Sequence, residues 1–294
     1  MRLATYEYQS QVTVGVLSGA TIVPIQRLGR FPADMQTLIK AGPTVWKALQ
    51  YAASTVRDPN LSLPLDAARL LAPLPRPAKN VICLGVNYAA HAQEAAAARG
   101  RTADAPTHPV VFTKAPTTVI GPTDPFPYDS EVSTHIDWEV ELAVIIGVSG
   151  RKISAERALD HVFGYTVLND ITARDLQSNH KQFFIGKSLD GACPMGPVIV
   201  TADELPDPQS LRLTTHVNGV LKQDANTADM IFTVASTISI LSKSMTLEAG
   251  DIISTGTPEG VGFARTPPEY LKPGDVVECM VEGIGTLRTP IVGR

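Results

Sequence analysis

The sequence predicts a mixed α/β protein, mostly β, in which a small N-terminal α+β unit precedes a larger closed or rolled β structure. Three observations carry this expectation. Short apolar runs bounded by turn residues recur from about residue 80 onward, and few stretches have the character of helices. Between the two textures lies a proline-rich joint, "LLAPLPRPAKN", in which Pro73, Pro75 and Pro77 remove donors and stiffen the chain. It divides the chain into an N-terminal domain of residues 1–72 and a second domain of residues 76–294.

In the first part, "VTVGVLSGATIVPI" alternates and breaks at Ser18-Gly19, which signals a hairpin, and "ADMQTLIKAG" and "TVWKALQYAAS" carry helix formers. The second part offers strands in "NVICLGV", "PVVFTK", "WEVELAVIIG", "GYTVLND", "GPVIVT", "LRLTTHVNGVLKQ", "DIISTG" and "DVVECMVEGIGTL". Asn218-Gly219 marks a two-residue turn. Helices are expected only after Asn87, as an N-cap, and in "SAERALDHV" with Ser154 as N-cap. Strands outnumber crossover helices, so a doubly wound sheet is disfavoured.

Composition narrows the function classes. The 294 residues are 44% hydrophobic and 18% charged, with a net charge of −4 and the signs interspersed. No basic stripe invites nucleic acid, and no apolar run reaches the length that spans a membrane. Cys83, Cys193 and Cys279 are odd in number and match no paired spacing for zinc or disulfides, which points to a reducing compartment. The opening "MRLATYEYQS" lacks the charged-then-apolar pattern of a signal peptide, and the expected location is cytoplasmic, with a small molecule as partner.

Glu139 and Glu141 are the most informative residues. On a strand, residues two apart share a face, so the two carboxylates lie side by side at the head of "LAVIIG", a run apolar on both faces. A solvated strand face is the ordinary setting for such a pair, but this run points at least the inner carboxylate into the protein, where it needs a cation or a shared proton. No Lys or Arg lies within nine residues of either glutamate, which leaves a metal ion or a remote basic residue as counter-charge. Oxygen ligands select Mg²⁺, Mn²⁺ or Ca²⁺ over zinc. Asp170, ending the apolar run of "YTVLNDITARD", is the candidate third ligand, while Asp175 reads as a helical surface residue.

A second constellation is "GVNYAAHAQEAAAARG". His91 and Glu94 fall at i and i+3 on one helix face, where a carboxylate orients and charge-stabilises an imidazole, as in a general base; an exposed helix on which the two merely touch is the bland alternative. The segment that follows, residues 95–108, is small, polar and broken by Pro and Gly, and suits a mobile lid. Two glycine-rich decoys are set aside. "IGKSLDG" lacks the glycine a phosphate loop needs at position 181, which is Lys181, and "TGTPEGVG" lacks dinucleotide spacing, so Gly256 and Gly260 are expected to permit close backbone approach.

Taken in order, "NYAAHAQE", "FTKAP", "DWEVELAVIIG", "NDITARDLQ", "IGKSLDG", "TGTPEGVG" and the closing "GD…EGIGTL" resemble the fumarylacetoacetate hydrolase superfamily over residues 76 to 294. The resemblance is to its smaller-subunit branch, which includes acylpyruvate hydrolases, oxaloacetate decarboxylases and 2-hydroxyhepta-2,4-diene-1,7-dioate isomerases. It implies a β-roll catalytic domain, a homodimer, and Mg²⁺ or Mn²⁺ held by Glu139, Glu141 and Asp170. His91 and Glu94 match the family's catalytic dyad; Arg174, Gln177, Lys187 and Thr257 match positions that hold substrate, and Lys114 matches a motif lysine grouped with them. Val86, Ala115 and the "KSLD" spelling depart from the commoner pattern and bear on substrate choice.

The implied chemistry is metal chelation of a 2-oxo acid through its carboxylate and keto oxygens, with Lys187 stabilising the enolate. The leading expectation is a metal-dependent hydrolase that cleaves a C–C bond in a 2,4-dioxo acid of acylpyruvate type, using His91 and Glu94 to activate water. A decarboxylase or isomerase of 2-oxo acids in aromatic catabolism, acting on oxaloacetate or a substrate derived from 5-carboxymethyl-2-hydroxymuconate, uses the same site without that water. A non-catalytic metal- or ligand-binding protein is the reading from a different class.

Overall fold

A computed structural model describes residues 1–56, 58–98, 100, 102 and 106–294. The N-terminal part contains β1 (Arg2–Tyr8), β2 (Gln11–Ser18), β3 (Thr21–Pro24), α1 (Met35–Lys40), α2 (Pro43–Thr55), β4 (Leu63–Pro64) and β5 (Arg69–Leu70). After the proline-rich joint come β6 (Val81–Gly85), α3 (Ala89–Ala97), β7 (Val110–Lys114), β8 (Val119–Ile120), β9 (Phe126–Tyr128), β10 (Ile136–Asp137), β11 (Val140–Ile146), β12 (Val162–Asn169) and β13 (Thr172–Ala173). Two short helices, α4 (Arg174–Asn179) and α5 (Phe184–Lys187), precede β14 (Cys193–Thr201), β15 (Arg212–Val217), β16 (Val220–Asn226), α6 (Val234–Ser244), β17 (Ile252–Ser254), β18 (Val276–Val281) and β19 (Gly285–Gly293).

The fold is the strand-rich mixed α/β architecture that the sequence predicts. One long sheet runs β4-β3-β2-β1-β14-β12-β11-β17-β6-β7, with β5 beside β1 and β8 beside β14, and a five-stranded sheet runs β16-β15-β18-β19-β9. Every residue of β11 and β12 is buried, as expected of strands covered on both faces. The two faces of β11 feed different cores. Val140, Leu142, Val144 and Ile146 join the inner face of the five-stranded sheet, including Leu213, Val277, Val281 and Leu287. Ala143 and Ile145 join a second core with Leu3, Val14, Ile25, Leu38 and Leu49 from the N-terminal part. Glu141 has the parity of this second face, so its side chain leaves the strand where apolar packing ends.

The sheet crosses the proline-rich joint. β1 pairs with β14 through Arg2↔Val200 and Leu3↔Ile199, so residues 1–72 and 76–294 share hydrogen bonds as well as a core. Local turns follow their chemistry: the β2–β3 hairpin turns at Gly19, and Asn218 and Gly219 both take the left-handed backbone that a tight β15–β16 hairpin requires. Asp34 caps α1 by accepting the Thr37 N–H at 2.8 Å, and Pro43 opens α2.

Ser154 departs from expectation. It precedes a 3₁₀ helix, Ala155–His161, and its side chain makes no cap bond, because it hydrogen-bonds the Glu156 carboxylate instead. The segment expected to act as a lid includes residues 99, 101 and 103–105, which lie outside the described residues. The three cysteines are buried free thiols, and burial pushes Cys193 and Cys279 up to about 12, so they stay protonated and inert. Among the described residues no helix is long and apolar enough to cross a membrane.

Leu3 is the test of this continuity, being fully buried on a strand from before the joint. Leu3→Ala should lower stability by about 2–5 kcal/mol in urea unfolding, with one cooperative transition for the whole chain. Two transitions, with the second unaffected, would show that the two parts fold separately.

Candidate active site

The end of β11 and the end of β12 lie side by side, with Val140 paired to Asn169 and the Asp170 N–H donating to the Glu139 carbonyl at 2.8 Å. This pairing brings the sequence's three acids together: carboxylate oxygens of Glu139, Glu141 and Asp170 lie within 4.8 Å of one another, all buried. Glu139 stands one residue ahead of the strand, and the Asn169 side chain accepts its N–H at 3.0 Å.

Three basic residues, all remote in sequence, answer the acids. Lys187 Nζ donates to Glu139 Oε2 and Asp170 Oδ2, each at 2.7 Å. Lys114 Nζ donates to Asp170 Oδ1 at 2.6 Å and to the Ile171 carbonyl. Arg174 pairs with Glu139 Oε1 at 2.7 Å through Nη2 and donates from Nε to Asp137 at 2.8 Å. Helices α4 and α5 deliver Arg174 and Lys187 to one wall because Gly186 allows their contact: a Cβ there would sit 2.5 Å from the Gln177 backbone nitrogen.

The two glutamates have opposite electrostatic settings. Burial works to raise Glu139, but Lys187 and then Arg174 overcome it and hold its carboxyl at about 2. Among the described residues Glu141 has no basic hydrogen-bond partner. Burial, reinforced by Asp170 and Glu139, pushes it well above the usual carboxylate range, although Ser254 Oγ and the Gly256 N–H at 2.8 Å both donate to its Oε2. Its Oε1 is buried without a partner. An all-oxygen cluster with one orphaned carboxylate oxygen fits a hard divalent ion such as Mg²⁺, Mn²⁺ or Ca²⁺.

A cavity opens beside the cluster, lined by Glu139, Lys187, Arg174, Gln177, Thr257 and His91 on its polar side and by Leu84, Val86, Ala95, Phe112, Phe183 and Phe263 on its apolar side. His91 is buried, and its Nδ1 lies 3.4 Å from Glu94 Oε2. Glu94 is held in turn by the Gly260 N–H at 2.9 Å. Gly260 and Gly256 act as their spacing suggests. A Cβ would lie 2.1 Å from the Lys222 carbonyl at Gly260 and 2.8 Å from Asn87 Cβ at Gly256, and both take positive φ. Six of the ten sequence-expected site residues line the cavity, and Glu94, Glu141, Asp170 and Lys114 lie against them. Lys114 lies behind Asp170, fully buried, and contacts the cluster but not the cavity.

Two details differ from expectation. Asn87 does not cap α3, which starts at Ala89 with Tyr88 in the cap position. Its amide instead donates to the Phe232 and Thr255 carbonyls and accepts the Phe232 N–H, so long-range backbone claims the group that a local cap would use. Asp137 was not singled out by sequence. It is fully buried against Arg174 and the backbone of the 260s loop, and the same i, i+2 spacing that links Glu139 to Glu141 extends back to it. Phe112, Phe183 and Phe263 carry no sequence signal beyond their hydrophobicity.

A strand-rich α/β fold that brings a carboxylate triad and a His–Glu pair to one cavity has the architecture of an enzyme. The chain belongs to the fumarylacetoacetate hydrolase family: the family described as "Fumarylacetoacetate (FAA) hydrolase C-terminal" matches residues 80–292. Oxaloacetate tautomerase YisK of Bacillus subtilis is 46% identical over 304 aligned positions, covering 99% of this chain and all of that one. The fumarylacetoacetate hydrolase of Exiguobacterium antarcticum superposes with a TM-score of 0.85 at 41% identity over the full length of both chains. Maleylpyruvate hydrolase from Sphingobium sp. SYK-6, solved with manganese(II) and pyruvate, gives a TM-score of 0.79 at 32% identity over 100% of this chain and 99% of that one. The first of these names denotes an isomerisation of oxaloacetate, which falls within the decarboxylase-or-isomerase alternative expected from the sequence, while the other two are hydrolases.

Glu141 gives the site a measurable pH signature. With its pKa raised, the ion-free protein loses stability as pH climbs past 4.5, the ordinary value, because the folded state resists an ionisation the unfolded chain accepts. Glu141→Gln should therefore raise the ion-free melting temperature at pH 7, have little effect below pH 4, and abolish the rise that Mg²⁺ or Mn²⁺ produces in the unmodified protein. A metal-induced rise that survives the substitution would remove Glu141 from the ligand set.

Proposed function

We propose that this protein is a divalent-cation-dependent enzyme that enolises short 2-oxo acids, with keto–enol interconversion of an oxaloacetate-like diacid as its reaction. The observation that supports it best is the placement of His91, oriented by Glu94, on the same small cavity as Lys187 and Glu139. Glu139, Glu141 and Asp170 would hold the cation, and a bound Mg²⁺ or Mn²⁺ supplies Lewis-acid polarisation of the 2-oxo group.

The rest is done by the chain. Glu94 engages Nδ1 of His91, which leaves Nε2 as the base for the proton on C3, next to the oxo carbon. Lys187, kept protonated by Asp170 and Glu139 against the pull of burial, presents an ammonium to charge developing on the oxo oxygen. Return of the proton to oxygen completes the enol, and only the C–H bond is broken. Arg174, Gln177 and Thr257 offer polar contacts for carboxylate oxygens, while Phe112, Phe183 and Phe263 exclude water.

Tautomerisation needs no attacking water, which suits a cavity walled by three phenylalanines, and a tautomerase is among the relatives, aligned along 99% of the chain at 46% identity. The hydrolytic reading is retained as second, because the maleylpyruvate hydrolase solved with manganese(II) and pyruvate shares the fold over the full chain. There the same His91 would activate a water against the distal carbonyl.

The test follows enol absorbance of oxaloacetate in Mg²⁺ or Mn²⁺, above the uncatalysed rate, with pyruvate release from an acylpyruvate assayed in parallel. His91→Ala should cost on the order of 10²–10⁴ in kcat with Mn²⁺ affinity unchanged, and Glu94→Gln less, since an amide still orients the ring. Unimpaired exchange by His91→Ala would end the proposal, and pyruvate release without oxaloacetate exchange would transfer the assignment to hydrolysis.

A further inference from the structure

Both oxygens of Glu139 are contested. Lys187 stands at Oε2 and Arg174 at Oε1, each at 2.7 Å, so a divalent ion must share this carboxylate with two resident cations. How firmly Arg174 grips Oε1 therefore bears directly on how available Glu139 is.

Arg174 does not belong to Glu139 alone. Its Nε donates to Asp137 Oδ2 at 2.8 Å, its Nη1 donates to Gln177 Oε1 at 3.1 Å, and the Phe263 ring lies 4.4 Å from its guanidinium carbon. Asp137 is anchored from behind. Its Oδ1 accepts the Trp138 N–H at 2.8 Å and the Gly262 N–H at 2.7 Å, and its Oδ2 accepts the Phe263 N–H at 3.0 Å. A Cβ on Gly262 would lie 2.7 Å from Asp137 Oδ1, so the backbone comes as near as glycine permits. A fully buried aspartate held by three backbone donors has no freedom to follow the guanidinium if it moves.

We propose that Asp137 is a positioning residue that sets the cation affinity of the acidic centre by holding Arg174 between two carboxylates, so that the guanidinium does not neutralise Glu139 alone. The inference rests on the reading of Glu139, Glu141 and Asp170 as cation ligands. Removing the charge of Asp137 leaves Glu139, among the described residues, as the remaining carboxylate paired with Arg174, in a dry site where an ion pair at 2.7 Å is little screened. The arriving ion then has more to displace.

The test is Mn²⁺ titration of the full chain, read by the electron paramagnetic resonance of free Mn²⁺, with circular dichroism as the check on folding. Asp137→Asn should weaken Mn²⁺ binding by about tenfold or more, equivalent to ~1.4 kcal/mol, where Arg174 is present. In an Arg174→Gln background the same substitution should have at most a small fraction of that effect. An equal loss in both backgrounds would mean that Asp137 acts by direct charge or through the loop, which overturns the proposal. Arg174→Gln alone should tighten Mn²⁺ binding, and it decides the matter if Asp137→Asn does not fold: unchanged or weaker binding refutes the inference. A wild-type protein that takes up no Mn²⁺ would instead remove the ion-binding reading on which it rests.

Discussion

The site is organised around one buried ammonium. Lys187 Nζ lies 2.7 Å from both Glu139 and Asp170, and without a cation there three carboxylates in a water-poor pocket do not stay ionised together. Much of the surrounding structure can be read as what it takes to put that group in place. β11 and β12 align the acids, Gly186 lets α5 press against α4, and Lys114 secures the far oxygen of Asp170. Buried ion pairs are weak devices for stability, since desolvation offsets the attraction, and they make better sense here as preorganisation for chemistry.

The same cluster leaves a deliberate imbalance. Glu139 and Asp170 are matched by lysines and an arginine, whereas Glu141 receives only a hydroxyl and a backbone N–H and keeps an orphaned oxygen. A polar atom without a partner in a buried position is a cost that a bound ion can relieve. Strain gathers nearby as well. Val86, a β-branched residue on the cavity wall, has a φ of 57°, a left-handed conformation that such side chains resist, and the neighbouring Asn87 holds this turn with three long-range hydrogen bonds. Gly260 reaches Glu94 from 166 residues away, and Glu94 in turn engages His91, so the setting of this imidazole depends on distant backbone geometry.

The long sheet ties this centre to the N-terminal part. Among the described residues none before the joint lines the cavity, yet Leu3, Val14 and Leu38 belong to the same core as Ala143 and Ile145, two and four residues beyond Glu141. The strand that bears the acid thus rests on packing supplied from both ends of the chain, which is the rigidity that a preorganised charge cluster needs.

Much of this was legible in the sequence because it is governed by local periodicity. Alternation placed Glu139 and Glu141 on one face, the uninterrupted apolar run marked β11 as doubly covered, Asn218-Gly219 announced its hairpin, and the i, i+3 spacing joined His91 to Glu94. Ordered motifs supplied Asp170, Arg174, Gln177, Lys187 and Thr257. What sequence could not supply is whatever depends on which distant groups meet. The counter-charges of the acids come from 17 to 56 residues away, so Lys114 and Lys187 could not be paired with Asp170 before the chain was folded. Asn87 kept the composition of a helix cap while its amide was claimed by backbone 145 and 168 residues distant. Asp137 shared the spacing of its neighbours yet drew its importance from Arg174 and Gly262, contacts that only the tertiary fold creates. Periodicity is a property of a few consecutive residues, and buried electrostatics is a property of whichever groups the fold brings out of water together.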